Sequence, residues 1–217
     1  LGGTLVAYFP FFMDISGGDG LIVGGGTVAL RKIEKLLPYE PRLTVCALEF
    51  LPGIEAIPGL VLLRGASAPS MVEGKLFVIA AADDNALNCQ ISALCRERRV
   101  PVNVVDDRDA CTFLFPALVK RGPLSIGIST GGASPSGAVH WKQEIDRLIP
   151  HDAGELLDYL DGLRGAVKEA VPDGMARAEV FSILFHTCLE NGWPLSDEWL
   201  DSLLSGLKLG GLKEELP

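Results

Sequence analysis

The sequence predicts an α/β protein: a parallel sheet covered by helices through the first half, then a short β/α segment, then a small all-helical domain. Three observations carry this expectation. Apolar runs rich in β-branched residues alternate with helical periodicity up to about residue 112, a Gly24-Gly25-Gly26 turn stands between the first such run and the first helix, and only helical patterns remain beyond Asp152. With 217 residues, the chain has material for one full domain and a smaller attachment.

The elements follow in order. Residues 21–23 predict a strand, 28–37 a helix, 43–48 and 61–63 strands, 76–82 a buried strand, 85–99 an amphipathic helix and 100–105 a further strand. In the first helix Ala29, Ile33, Leu36 and Leu37 fall on one face, and Pro38 stops it. Residues 112–119 and 124–129 predict two strands joined by a Lys-Arg-Gly-Pro turn. A helix over 135–148 follows, with Ser134 as its N-cap and Pro135 at its first position. Helical patterns over 155–170, 175–190 and 196–209 are separated by Pro172, Gly174 and Gly192-Trp193-Pro194. The expected division is 1–112 for the sheet domain, 113–150 for a central segment and 151–217 for the helical domain.

Composition narrows the function classes. A hydrophobic share of 48% against 22% charged residues excludes disorder as the main state. The longest apolar stretch, 76–82, is far short of the ~20 residues that cross a bilayer, and no basic flank marks a targeting signal. Five cysteines, an odd number without a Cys-x-x-Cys pair, argue against a disulfide scaffold and a zinc ribbon; buried thiols in a cytoplasmic protein are expected. The net charge of −9 is concentrated in residues 151–217, whereas 113–150 is the only net basic segment. Nucleic acid is therefore a poor partner, and an anionic ligand would be drawn to the central segment.

Gly24-Gly25-Gly26-Thr27-Val28-Ala29 leaves a predicted strand and opens a predicted helix, the G-x-G-x-x-A pattern of a dinucleotide site. Gly24 permits the turn, Gly26 lets backbone approach a pyrophosphate, and Ala29 lets helix and strand pack closely. Amides near Thr27 and Val28 would face the anion; a purely structural glycine turn is the plain alternative. The carboxylate that holds ribose hydroxyls normally follows about 20 residues later. Cys46 occupies that spacing, so Glu49, preceded by Leu48, is the candidate, with a surface carboxylate as the alternative. No arginine follows that strand closely, which favours NAD over NADP.

Three further elements lie at strand or helix ends. Small residues up to Ala82 and the acid Asp83 would let a cofactor lie across a strand tip, although Asp83 or Asp84 also suits a helix N-cap. Asp106, after Asn103-Val104-Val105, is the candidate acid/base, set against a solvated loop of Asp106, Asp107, Arg108 and Asp109. Ser129, Thr130, Gly131, Gly132 and Ser134 combine hydroxyls, free backbone and a helix start, which is either a cradle for substrate carboxylates or a capped helix. Lys120, Arg121, Lys142 and Arg147 are candidates for the same carboxylates. His140, His151 and His186 show no metal-ligand spacing, and His186 is expected in the core.

Taken as a set, Phe9-Pro10-Phe11-Phe12-Met13-Asp14, the run from Leu21 to Lys32, Ala81-Ala82-Asp83-Asp84, Asn103-Val104-Val105-Asp106 and the Ser129–Pro135 run resemble the siroheme synthase N-terminal family. Its members are precorrin-2 dehydrogenases, often also sirohydrochlorin ferrochelatases. The resemblance covers residues 9 to about 150 and fades in the helical tail. It implies a Rossmann-type domain, a central dimerisation segment and a helical C-terminal domain. It also implies a homodimer, NAD contacts at Thr27, Val28, Leu48 and Glu49, and a catalytic Asp106. Thr130 stands where some relatives carry a serine that is phosphorylated. The substrate would be precorrin-2, an anionic tetrapyrrole, with Fe2+ or Co2+ as a further substrate if metal insertion accompanies oxidation. The methyltransferase half fused to some relatives is expected to be absent. From a different class, a non-catalytic NAD-sensing module would use the glycine turn but have no use for Asp106.

Overall fold

The computed structural model describes residues 8–67 and 69–208. It forms two compact units, one of Leu1–Phe115 with Gly131–Ala133, the other of Pro116–Thr130 with Ser134–Pro217. In the first, β1 (Asp19–Val23), α1 (Thr27–Leu36), β2 (Arg42–Ala47), α2 (Pro52–Glu55), β3 (Val61–Arg64), β4 (Phe77–Ala80), α3 (Asn85–Arg98) and β5 (Val102–Val104) follow in chain order. Their five strands form one parallel sheet in the order β3-β2-β1-β4-β5. The order reverses between β1 and β4, the kind of switch point beside which parallel α/β sheets bind ligands at the carboxyl ends of their strands.

Side chains alternate across the pleat, and both faces of the sheet are covered. Leu21 and Val23 of β1 join Ile91 and Cys95 of α3 in one core; Ile22 joins Ala29, Ile33 and Leu36 of α1 in the other. The strands are therefore near-continuous apolar runs. The α1 stripe is the expected one except at Leu37, which is 37% exposed in the 3-10 turn that Pro38 imposes. Asp84 caps α3, its carboxylate accepting from the amides of Ala86 (2.9 Å) and Leu87 (3.2 Å). The four-residue α2 is too short to show a period and was not expected.

In the second unit β6 (Ala117–Arg121) and β7 (Leu124–Ile128) form an antiparallel pair with Ala117 opposite Ile128. The expected strand over 112–119 begins five residues late. Thr112 instead lies along β5, its amide donating to the Val102 carbonyl at 2.8 Å and its hydroxyl accepting from the Val102 amide at 2.7 Å. Pro116 has no amide to extend the ladder. Gly122, at φ +50°, turns the hairpin; a Cβ there would stand 2.9 Å from the Gly154 Cα.

Four further helices, α5 (Ala153–Gly162), α6 (Arg164–Ala170), α7 (Gly174–Asn191) and α8 (Asp197–Lys208), follow α4 (Pro135–Leu148). Leu156, Leu160, Val167, Val180, Leu184 and Cys188 centre their core. The single helix expected over 155–170 is two, divided at Leu163 between Gly162 and Gly165, where low helix propensity lets the chain pivot. His186 corrects another expectation. Residues 180, 184 and 188 face the core, which turns His186 out to solvent. All five cysteines are free, and only Cys89 is exposed. No helix among the described residues is long and apolar enough to cross a membrane.

Candidate functional site

The glycine turn is built by contact on two of its residues and by open space at the third. Gly24, at φ +128°, continues the ladder by donating to the Cys46 carbonyl at 2.9 Å, and a Cβ on it would stand 2.2 Å from the Ala81 carbonyl oxygen. A Cβ on Gly25 would stand 1.9 Å from the Glu49 carbonyl oxygen. Gly26 differs: it is the N-cap of α1 in an extended conformation, φ −91°, and a Cβ would meet nothing within 4 Å. No side chain caps α1 and no acid occupies its first turn. Thr27 and Val28 thus open a helix whose first amides have no side-chain acceptor, beside a space that glycine leaves free. These features fit the pyrophosphate of a dinucleotide.

The neighbouring strand exits close around this turn. Leu48, 72% exposed, and Glu49, also exposed, follow the end of β2, and the Leu51 amide donates to the Gly25 carbonyl at 2.9 Å. At the exit of β4, Ala82 is held by a residue that sequence reasoning missed. Buried Asn88 accepts from the Ala82 amide at 3.1 Å and donates to its carbonyl at 2.8 Å. Asp83 is exposed and leaves the cap of α3 to Asp84.

Asp106 follows β5 on the same edge of the sheet. The Val105 amide donates to the Ala80 carbonyl at 2.9 Å, so the chain is paired with β4 up to the residue before it. Asp106 is exposed and left-handed, at φ +60°, a conformation that Asp and Asn enter more readily than other side-chain-bearing residues. The loop beyond is fastened on several sides. Ser92 donates to the Ala110 carbonyl at 2.6 Å, Arg96 to that of Asp109 at 2.8 Å, and the Cys111 sulfur accepts from the Val104 amide at 3.1 Å. Burial pushes the Cys111 thiol up, keeping it in the neutral form.

Beneath this loop Asn103, 5% exposed, donates to the Phe113 carbonyl at 3.1 Å and accepts from Lys32 of α1 at 3.2 Å. The Lys32 ammonium also lies 3.9 Å from the centre of the Phe115 ring. Burial lowers the Lys32 pKa from 10.5 to about 8, with Lys35 adding to the effect and Cys111 and Asp106 opposing it. Sequence reasoning named Lys32 only as the end of a motif. Its lack of a carboxylate partner among the described ion pairs was not visible there.

In the second unit Thr130 closes its loop on Ser134, donating to the Ser134 carbonyl at 3.0 Å and accepting from its amide at 3.2 Å. The Ser134 hydroxyl caps α4 by accepting from Gly137 at 3.0 Å, as expected. Ser129 is exposed. Gly131 and Gly132, which belong to the first unit, have positive φ, +60° and +83°; there Gly132 lies against Arg108, whose Nε is buried without a partner. Of the cations considered for carboxylates, Arg121 is bound to Asp146 at 2.7 Å, Arg147 pairs with Glu144, and Lys120 reaches the Gly122 carbonyl. Among the described residues no three His, Cys, Asp or Glu side chains converge as a metal site. A cavity of about 250 Å³ lined by Met13, Ser16, Tyr39 and Glu40 sits before β1 and β2, at the opposite end of the sheet.

Fold and site together define a dinucleotide-binding α/β protein, and residues 11–117 match the family described as "Putative NAD(P)-binding". The siroheme synthase of Thioalkalivibrio sulfidiphilus is 38% identical over 169 residues, 76% of this chain and 35% of that protein. The siroheme synthase of Citrobacter koseri is 39% identical over 165 residues, 75% of this chain and 36% of that protein. Among solved structures, "SirC, precorrin-2 dehydrogenase" superposes with a TM-score of 0.69 at 22% identity, over 93% of this chain and 100% of that one. Over three quarters of its length the chain is thus similar to siroheme synthases, and residues 11–117 carry the NAD(P)-binding pattern. It spans 35% to 36% of the length of these two synthases.

Proposed function

We propose that this chain oxidises precorrin-2 to sirohydrochlorin in siroheme biosynthesis, with NAD as the hydride acceptor and Asp106 as the proton acceptor. The observation that carries the reading is the placement of an open Gly26 turn and of Asp106 on one carboxyl edge of a single parallel sheet. Gly24, Gly25 and Gly26 shape the turn, and the amides of Thr27 and Val28 would hold the pyrophosphate. Leu48 and Glu49 at the β2 exit would border the ribose, while Ala82 and Asp83 border the β4 exit. When bound, the nicotinamide supplies a two-electron acceptor for hydride. Asp106 takes the accompanying proton, which keeps the oxidation balanced as one hydride and one proton removed. Ser129, Thr130, Gly131, Gly132 and Ser134, in the net basic segment, are the proposed contacts for carboxylate arms.

A second reading adds insertion of Fe2+ or Co2+ into sirohydrochlorin. The name siroheme synthase on the matched relatives favours it, because siroheme is the iron chelate of sirohydrochlorin. The protein is proposed to act in the cytoplasm as a homodimer through residues 113–150. Val139, Trp141 and Leu148 of α4, exposed at 50%, 58% and 79%, support that interface. The experiment is to mix purified protein with precorrin-2 and NAD+, record the pigment spectrum, and repeat with Fe2+ or Co2+ against a protein-free control. Appearance of sirohydrochlorin only with protein and NAD+ is expected; its absence removes the dehydrogenase reading, and a protein-dependent metallated product establishes the second.

A further inference from the structure

We propose that Lys32 is a positioning residue for Asp106, acting through Asn103. The inference rests on the reading of Asp106 as the proton acceptor, but its geometry is independent of the substrate. Asn103 is buried in the middle of β5 with its side chain on the α1 face, and every polar atom of that side chain is engaged. Nδ2 donates to the Phe113 carbonyl (3.1 Å) and approaches the Cys111 sulfur at 3.5 Å, while Oδ1 accepts from Lys32 (3.2 Å). Cys111 in turn touches the backbone of Val104 and Asp107, the residues on either side of the Val105–Asp106 turn. One amide thus joins α1, the strand before Asp106 and the segment that returns after it.

Lys32 completes this arrangement at a cost to itself. Without its ammonium, Oδ1 of a 5% exposed asparagine would lose its described donor. Burial is the largest influence on Lys32 and favours the neutral amine; Lys35 on its own helix adds to it, while Asp106 and the Cys111 thiol across from it oppose it. A half-buried cation with no carboxylate partner is poor material for packing, and it lies within electrostatic reach of the acid assigned to the reaction. Its charge makes the bond to Asn103 the stronger, charge-assisted kind; loss of the proton leaves a weaker neutral one. A gradual alkaline fall in turnover near the Lys32 pKa of about 8 follows.

The test compares Lys32→Met and Lys32→Arg with the unaltered chain. Amide hydrogen exchange over residues 105–111 is read first, because it needs no substrate, and NAD affinity and precorrin-2 turnover are read next. Lys32→Met is expected to speed exchange in that loop by about tenfold while the core strands stay protected. It should also lower kcat by about tenfold with KM and NAD affinity unchanged. Lys32→Arg should restore protection and turnover and move the alkaline fall upward. Unchanged loop exchange in Lys32→Met, or a loss of protection spread over the whole sheet, overturns the proposal. A chain that shows the loop effect but never oxidises precorrin-2 overturns the functional reading instead and leaves the positioning of Asp106 standing.

Discussion

A Cβ on Gly24 would stand 2.2 Å from the carbonyl oxygen of Ala81, so the first turn of the site is fitted to the exit of β4 with no room for a side chain. Gly24→Ala must therefore move backbone and also hold a left-handed φ. The expected loss is about 2–3 kcal/mol, or a Tm lower by about 5–10 °C. Gly26→Ala has space and a permitted φ, so its stability should change by less than about 1 kcal/mol. Its added methyl instead enters the space assigned to pyrophosphate, and NAD affinity should fall by about tenfold or more. Thermal melts and NAD titrations of the two variants check this separation; equal effects of both substitutions on both measurements would remove it.

Asp106 offers a backbone test alongside the chemical one. Asn suits the left-handed region nearly as well, so Asp106→Asn should leave Tm unchanged, whereas Asp106→Ala should lose about 1 kcal/mol. Both variants should lose turnover by about 10²–10⁴-fold if the carboxylate accepts the proton. Denaturant midpoints and initial rates on the same samples distinguish strain from chemistry.

Asn88 braces the β4 exit by bonding both backbone groups of Ala82. Asn88→Ala removes both bonds from a buried position and should cost about 2 kcal/mol. NAD affinity should weaken with it, since Ala82 borders the proposed site. Urea unfolding and an NAD titration measure the two effects, and full affinity in Asn88→Ala would place Ala82 outside the cofactor site.

The Lys32 pKa gives stability a pH dependence of definite sign. The group holds its proton to pH 10.5 when unfolded but only to about pH 8 when folded, so the unfolded chain binds more protons between those values. Stability should therefore rise with pH across that window, and the penalty of keeping Lys32 charged is fully present below about pH 8. Partial solvent access limits the gain to about 1–2 kcal/mol. Lys32→Arg stays charged throughout and should lack the gain. Urea midpoints of both proteins at intervals from neutral to alkaline pH check the difference, and parallel curves would contradict it.

The dinucleotide half was legible because its signals are local. The small Ala29, the glycine run and the β-branched strands each constrain their own neighbourhood, and all strands of the sheet were expected to within two residues at most ends. What escaped depends on contacts between distant residues. Asn88 on Ala82 and Lys32 on Asn103 leave no period or spacing to read, and Thr112 was assigned to the wrong strand because its bonds to Val102 are tertiary. His186 looked buried by the company of its apolar neighbours, but the phase set by Val180, Leu184 and Cys188 turns it outward. Gly162 lay inside an apolar helical pattern, where its capacity to break the helix was outvoted by periodicity.

The most direct test follows NADH and pigment together in a single turnover. With precorrin-2 and NAD+, the unaltered chain should form NADH and sirohydrochlorin in equal amounts, while Asp106→Asn binds NAD+ with unchanged affinity and forms neither at a comparable rate. Equal rates in the two proteins, or NADH formed without the pigment, would contradict an oxidation in which Asp106 receives the proton.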